Sequence, residues 1–215
     1  MPLVAGVDSS TQSTKVEIRD AESGELVASG HAPHPAVHPP VAEQDPRDWW
    51  RAFEAAFAAA GSPDVAAISV AGQQHGCVVL DEAFEPIRPA KLWCDTTTAP
   101  DAAWLTSKLP AGDAGWAQAT GSALVAAHTI TKLSWLHRSE PEAWARLAHV
   151  CLPHDYLTHR LSGAFVTDRG DASGTGYWSP SAERYRFDLL EIVDGDLYWS
   201  SMVPAVLGPA DPAGE

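Results

Sequence analysis

Four short segments of the 215-residue sequence gather groups that can do chemistry. The first is Gly6-Val7-Asp8-Ser9-Ser10-Thr11-Gln12-Ser13-Thr14-Lys15. It sets a carboxylate, several hydroxyls and an amine at a strand-turn-strand corner. A tight turn of that kind aims backbone N–H groups and hydroxyls at one point, which suits a phosphate tail. A carboxylate beside it can hold Mg2+ through water, because that ion keeps several waters and takes few protein ligands. Asp, Ser and Thr are also ordinary turn material, and a plain polar hairpin is the commoner reading of the pattern by itself.

The second segment, Ala71-Gly72-Gln73-Gln74-His75-Gly76, ends an apolar run in two amides and an imidazole between glycines. A polyol hydroxyl both donates and accepts, so its recognition needs fixed groups of this kind. The glycines would let a ligand approach the backbone closely. A structural histidine beside solvent-facing glutamines is the competing reading. In Leu92-Trp93-Cys94-Asp95-Thr96-Thr97-Thr98, Asp95 is either a ligand beside Trp93 or the cap of a following helix. The fourth region holds Asp155 in Leu152–Leu157, then Asp168 and Asp171 in Thr167–Thr175. Asp155 and Asp168 read there as caps. His31, His34 and His38 sit at metal-like spacing, but their Pro-rich surroundings favour a solvated loop.

The elements that must position these groups follow from punctuation and periodicity. Leu3–Val7 reads as a buried strand. In Lys15–Arg19, Val16 and Ile18 alternate with Lys15, Glu17 and Arg19, and a third strand is expected near Leu26–Ser29. Asp45 caps a helix with Pro46 in its first position and Gly61 after its end. Trp49, Phe53, Ala56 and Phe57 give that helix a buried stripe. A strand at 66–71 leads into the Gln-His segment, and 78–80 with 90–93 suggest a hairpin around 81–86. Helices are expected at 100–109, 130–138, 141–148 and 154–161, with a short strand at 165–167. Residues 1–200 thus form one domain, and 201–215 read as a linker or an interrupted loop.

Composition narrows the function. The net charge is −14, from 28 acidic against 14 basic residues, and such a surface repels nucleic acid and anionic membranes. Cys77, Cys94 and Cys151 are odd in number and scattered, which predicts a reducing cytoplasm and no structural zinc. No apolar run approaches the ~18 residues of a membrane span. The Gly-x4-Gly-Lys-Ser/Thr nucleotide loop and the dinucleotide, zincin and serine-hydrolase motifs are all absent from the sequence.

Taken in order and spacing, the segments resemble the N-terminal domain of the FGGY carbohydrate kinases, and among these the xylulokinases. Gly6, Asp8, Thr11 and Lys15 match the family's first phosphate loop. Glu43-Gln44-Asp45-Pro46 with Trp49-Trp50 resembles the stretch leading into its first helix. Gly72-Gln73-Gln74-His75-Gly76 resembles the xylulokinase sugar segment. Lys132-Leu133 with Trp135-Leu136, Glu140-Pro141-Glu142, Leu152-Pro153 with Asp155-Tyr156-Leu157, and Asp171-Ala172-Ser173-Gly174-Thr175 match the remainder. Ser10 and Ser13 stand where many members carry glycine, and His154 where many carry lysine.

The resemblance implies an α/β, ribonuclease-H-like domain of the actin-like ATPase superfamily, with a mixed sheet opening on three antiparallel strands and flanked by helices. It implies ATP-dependent phosphorylation of a ketose, D-xylulose first, with ATP and Mg2+ as cofactors. Asp8 would be catalytic and hold the metal through water. Gln74, His75 and Asp95 would bind sugar, and Thr11 and Lys15 phosphate. A cytoplasmic enzyme follows, with a small-molecule partner, no nucleic acid, no membrane, and a homodimer as an open option. The family's catalytic base lies in a Gly-Asp-Asn segment beyond Glu215, so this chain alone is expected to be inactive. A non-catalytic sugar-binding module, or a kinase for another ketose or polyol, is the alternative.

Overall fold

The computed structural model describes residues 2–214. The opening alternation folds as expected into an antiparallel meander of β1 (Leu3–Ser9), β2 (Ser13–Asp20) and β3 (Leu26–Pro33). Val16 and Ile18 are wholly buried, while Lys15, Glu17 and Arg19 point to the opposite face. Each such aliphatic side chain removed from water contributes about 1.5–3 kcal/mol. After the short strand β4 (Glu43–Gln44) comes α1 (Pro46–Ala59). The Asp45 carboxylate accepts from the Arg47 N–H at the start of α1, and the chain leaves the helix through Gly61 at φ 90°. β5 (Ala67–Gly72) then adds parallel to β1, giving the order β3-β2-β1-β5.

One face of this sheet packs on α1 through Ala5, Val7, Val16 and Ile18 against Ala52, Phe53 and Ala56. The approach is so close that a Cβ on Gly30 would sit 1.8 Å from the Ala56 carbonyl oxygen. Only glycine permits it. The other face, which carries Asp8, Lys15, Glu17 and Arg19, is open. Phe57, expected in the buried stripe of α1, is only partly covered.

The remainder is built from short elements: β6 (Val78–Leu80), β7 (Ala90–Lys91), α2 (Ala99–Thr106), α3 (Gly112–Thr120), α4 (Thr129–Ser139) and α5 (Pro141–Trp144). They continue with β8 (His149–Cys151), α6 (Pro153–Ser162), β9 (Val166–Thr167), α7 (Arg169–Ser173), β10 (Trp178–Ser179), β11 (Arg184–Tyr185), α8 (Phe187–Leu190) and β12 (Ala205–Val206). A second core gathers Leu105, Trp116, Ile130, Leu133, Tyr177 and Trp199, and α6 packs against β5 and α1.

Three local expectations change. The strands at 78–80 and 90–91 do not pair with each other; isolated bridges join Cys77 to Lys91 and Leu80 to Pro86, while β6 pairs with β8 and β7 with β4. The helix α3 lies where the sequence pattern predicts none. Residues 202–206 belong to the domain, because Met202 and Val203 are buried and β12 pairs with β9. Among the described residues no helix is long and apolar enough to cross a membrane.

Candidate functional site

The parallel strands β1 and β5 end side by side, Ser9 opposite Gly72, and the chemistry foreseen in both segments collects at that end. The turn after β1 is closed by Ser10 N–H and hydroxyl bonds to the Ser13 carbonyl, at 3.0 and 3.2 Å. The turn is anchored from behind by Gln44, a residue not singled out as functional from the sequence. The Gln44 amide donates to the carbonyls of Thr11 (2.9 Å) and Pro35 (2.8 Å). Its oxygen accepts from Trp49 Nε1 (2.8 Å) and Gln73 Nε2 (3.2 Å). Both donors and both acceptor sites of this buried amide are used. One side chain thus ties the turn, α1 and the end of β5 together.

Asp8 is exposed on the open sheet face, directly across the ladder from Lys15. Both line a depression of about 770 Å³ with Gly6, Glu17, Arg19 and Ala71. A Cβ on Gly6 would meet nothing within 4 Å, so there is room beside the carboxylate for a hydrated ion. Thr11 lies round the corner, where its hydroxyl accepts from Trp93 Nε1 at 3.0 Å and presents an exposed indole at the strand ends.

The Gln-His segment is sharper than its sequence suggests. The Gly76 N–H donates to the Gln74 carbonyl (2.8 Å), which makes His75 the corner of a γ-turn, at φ 62°. This is the rarer, strained hand of that turn. A non-glycine residue held there costs of order 1–3 kcal/mol and persists only where its surroundings over-determine it. The surroundings do so. His75 Nδ1 donates to the Gly174 carbonyl at 2.7 Å, and the Thr129 hydroxyl donates to the His75 carbonyl at 3.3 Å. The ring also lies edge-on to His128, 5.5 Å between centroids. With Nδ1–H engaged, Nε2 is the nitrogen left for a ligand. Gln74 is exposed, whereas Gln73 is buried with its Oε1 unpaired. The flanking glycines have a reason different from ligand approach: a Cβ on Gly72 would fall 2.7 Å from the His154 nitrogen, and one on Gly76 2.6 Å from Pro153 Cγ. They admit the start of α6.

Asp95 is completely buried, so the structure does not bring it to the mouth with His75. Its carboxylate accepts from Ala42 N–H (2.9 Å), Lys91 Nζ (3.1 Å), Thr97 N–H (3.0 Å) and the Thr97 hydroxyl (2.5 Å). Burial pushes its pKa up, but the bonds from Thr97, Ala42 and Lys91 outweigh that and hold it below the ordinary value. Lys91 Nζ also meets Glu43 at 3.0 Å and lies 4.0 Å above the Trp135 ring. Behind His75, burial and the His75 ring push His128 down to about 4. Burial likewise lowers Lys132 to about 8, and its ammonium closes the carbonyls of Ala126 (2.9 Å), Ala127 (2.5 Å) and His128 (3.3 Å). Asp155 and Asp168 act as caps, as expected: Asp155 accepts from Leu152 N–H and Asp168 from Asp171 N–H.

Comparison with known proteins bears on the chain as a whole. The pattern for the FGGY family of carbohydrate kinases, N-terminal domain, matches residues 3–214. A xylulose kinase from Streptomyces coelicolor is 48% identical over 215 residues, covering 99% of this chain and 44% of that protein. One from Haemophilus influenzae is 33% identical, covering 94% and 43%. The chain thus spans under half the length of these curated relatives. The crystal structure of a xylulose kinase from Bifidobacterium adolescentis superposes with a TM-score of 0.93 at 41% identity, over 99% of this chain and 48% of that one. A Plasmodium falciparum glycerol kinase shares the fold, with a TM-score of 0.89 at 20% identity.

Proposed function

The chain belongs to the FGGY family of carbohydrate kinases, as their N-terminal domain, and from that premise we propose that it serves ATP-dependent phosphorylation of a ketose, D-xylulose to D-xylulose phosphate. The activity is that of a polypeptide carrying this domain, since the relatives are about twice as long. The observation that carries the reading is His75: a strained corner at the end of β5, with its ring fixed so that Nε2 is free. Rigid imidazole and amide groups suit a polyol, because a flexible site would lose the net gain of about 1 kcal/mol per hydrogen bond to ordering. In this reading His75 and the exposed Gln74 meet sugar hydroxyls, with Trp93 as an apolar wall beside Thr11. Asp95 contributes from within, by setting Lys91 and the Ala42 loop.

Asp8 and Lys15 face the phosphate side. The exposed Asp8 carboxylate, with open space beside Gly6, fits a Mg2+ ion held through water, which supplies positive charge to the transferring phosphoryl group. Lys15 adds a cation across the ladder from it, and Thr11 a hydroxyl at the turn. The test is ADP release by a full-length kinase carrying this domain, offered D-xylulose, D-ribulose, D-fructose and glycerol. D-Xylulose should give the highest kcat/KM, and His75→Ala should raise its KM several-fold while leaving the KM for ATP unchanged. Equal turnover of all four, or equal effects on both KM values, would overturn the assignment.

A further inference from the structure

At the junction of α6 and α7 lies a group of side chains that the kinase reading does not use. His154 is the second residue of α6, and Asp168 and Asp171 bracket the first turn of α7. One donor atom from each of the three lies within 4.8 Å of the others. His154 Nδ1 is 3.2 Å from Asp171 Oδ2 and 3.1 Å from Oδ1 of the buried Asp155, and Nε2 is 4.0 Å from Asp168 Oδ2. Asp168 caps α7 with its other oxygen, so Oδ2 is free, and it is half exposed.

Three carboxyl groups therefore converge on one imidazole. Among the described residues no Lys or Arg pairs with any of the three. The nearest in sequence, Arg169, is turned outward to Glu183 at 2.8 Å. We propose that His154, Asp168 and Asp171 bind a divalent transition-metal ion of the Zn2+ or Mn2+ kind. Imidazole nitrogen with two carboxylate oxygens suits these ions, whereas Mg2+ takes oxygen ligands, so the site is distinct from the one at Asp8. The buried Asp155 plays the outer-shell part: its carboxylate accepts from Nδ1–H and fixes the ring, which leaves Nε2 for the ion, with Asp168 4.0 Å from it and Asp171 turning in from beside Nδ1. The half-exposed Asp168 closes the 4.0 Å gap and leaves an entry path for the ion. Because α7 leads directly to Gly174, whose carbonyl holds His75, a bound ion would also stiffen the turn that orients that ring.

The experiment uses tag-free, chelator-dialysed chain, titrated with Zn2+ by calorimetry and followed by thermal midpoint. At about 100 times the dissociation constant the midpoint should rise by roughly 5–10 °C for a chain of this size. Mg2+ at equal concentration should give no rise that His154→Lys removes. His154→Lys supplies a cation in place of a ligand; it should fold with an undiminished metal-free midpoint and lose the Zn2+ response. Asp168→Asn, at an exposed position, should weaken binding at least about 10-fold. No heat and no shift for the unmodified chain would overturn the site. So would a response that survives in both variants, which would place the ion elsewhere, such as at His31, His34 and His38.

Discussion

The ring of His75 is held by the carbonyl of Gly174, ninety-nine positions further along the chain, at 2.7 Å. A Cβ on Gly174 would stand 2.3 Å from that same Nδ1, although the backbone there is ordinary for any residue, at φ −86°. Glycine is required at 174 for the space beside the histidine, not for its own conformation.

Gly174→Ala should therefore act on a sugar that it never touches. In a full-length kinase carrying this domain, the displaced ring should raise the KM for D-xylulose about 2- to 10-fold, the range of one net hydrogen bond. The KM for ATP should stay constant. Steady-state kinetics in both substrates checks this, and a normal sugar KM would mean that the His75 ring does not contact the ketose.

Gln44→Leu tests the amide that ties the turn to α1 and β5. It leaves the Thr11 and Pro35 carbonyls and the Trp49 and Gln73 donors unpaired inside the domain. An orphaned buried polar group costs about 1–3 kcal/mol, and with several at stake the loss should exceed about 3 kcal/mol in urea unfolding. Gln44→Glu should fare no better, since a carboxylate cannot donate to the two carbonyls.

His128 gives a pH dependence with a definite sign. Its folded pKa of about 4 lies below the ordinary 6.5, so the unfolded chain takes up a proton that the folded chain refuses. Stability from this residue is complete above pH 6.5 and is lost as pH falls toward 4, by at most about 1.4 kcal/mol per pH unit. His128→Gln keeps an acceptor for the Val125 N–H and should flatten that slope. Unfolding free energies across this window, compared between the two proteins, measure the difference.

The parts of the fold legible in the sequence are those set by local pattern. The alternation in Lys15–Arg19, the Asp45-Pro46 cap and the Gly61 stop correspond directly to β2 and α1. The hairpin expected at 78–93 was not legible, because its strands take partners from β4 and β8, far away in the chain. Nor was α3, whose Gly112 and Gly115 lower helix propensity, and which forms because Trp116 is buried against the second core. At the site, His75 stood out by its neighbours, but its γ-turn could not, since the cause is a carbonyl in another segment. Asp95 stands beside Trp93 in the sequence, yet its four bonds face inward. Asp171 and His154 lie in separate segments of the sequence; only the meeting of α6 and α7 makes them a group.

In the proposed reaction Asp8 serves the phosphoryl group and His75 the ketose, and Asp8→Asn in a full-length kinase separates the two roles. Asn keeps the shape and one acceptor oxygen but removes the charge that would attract Mg2+. Interactions made with the transition state change kcat more than ground-state binding. Turnover should fall at least about 100-fold, the scale of losing one electrostatic partner at a reacting centre, with the KM for D-xylulose close to normal. The thermal midpoint should barely move, since Asp8 is exposed. A near-normal kcat in the folded Asp8→Asn protein would move the phosphate site away from the open face of β1.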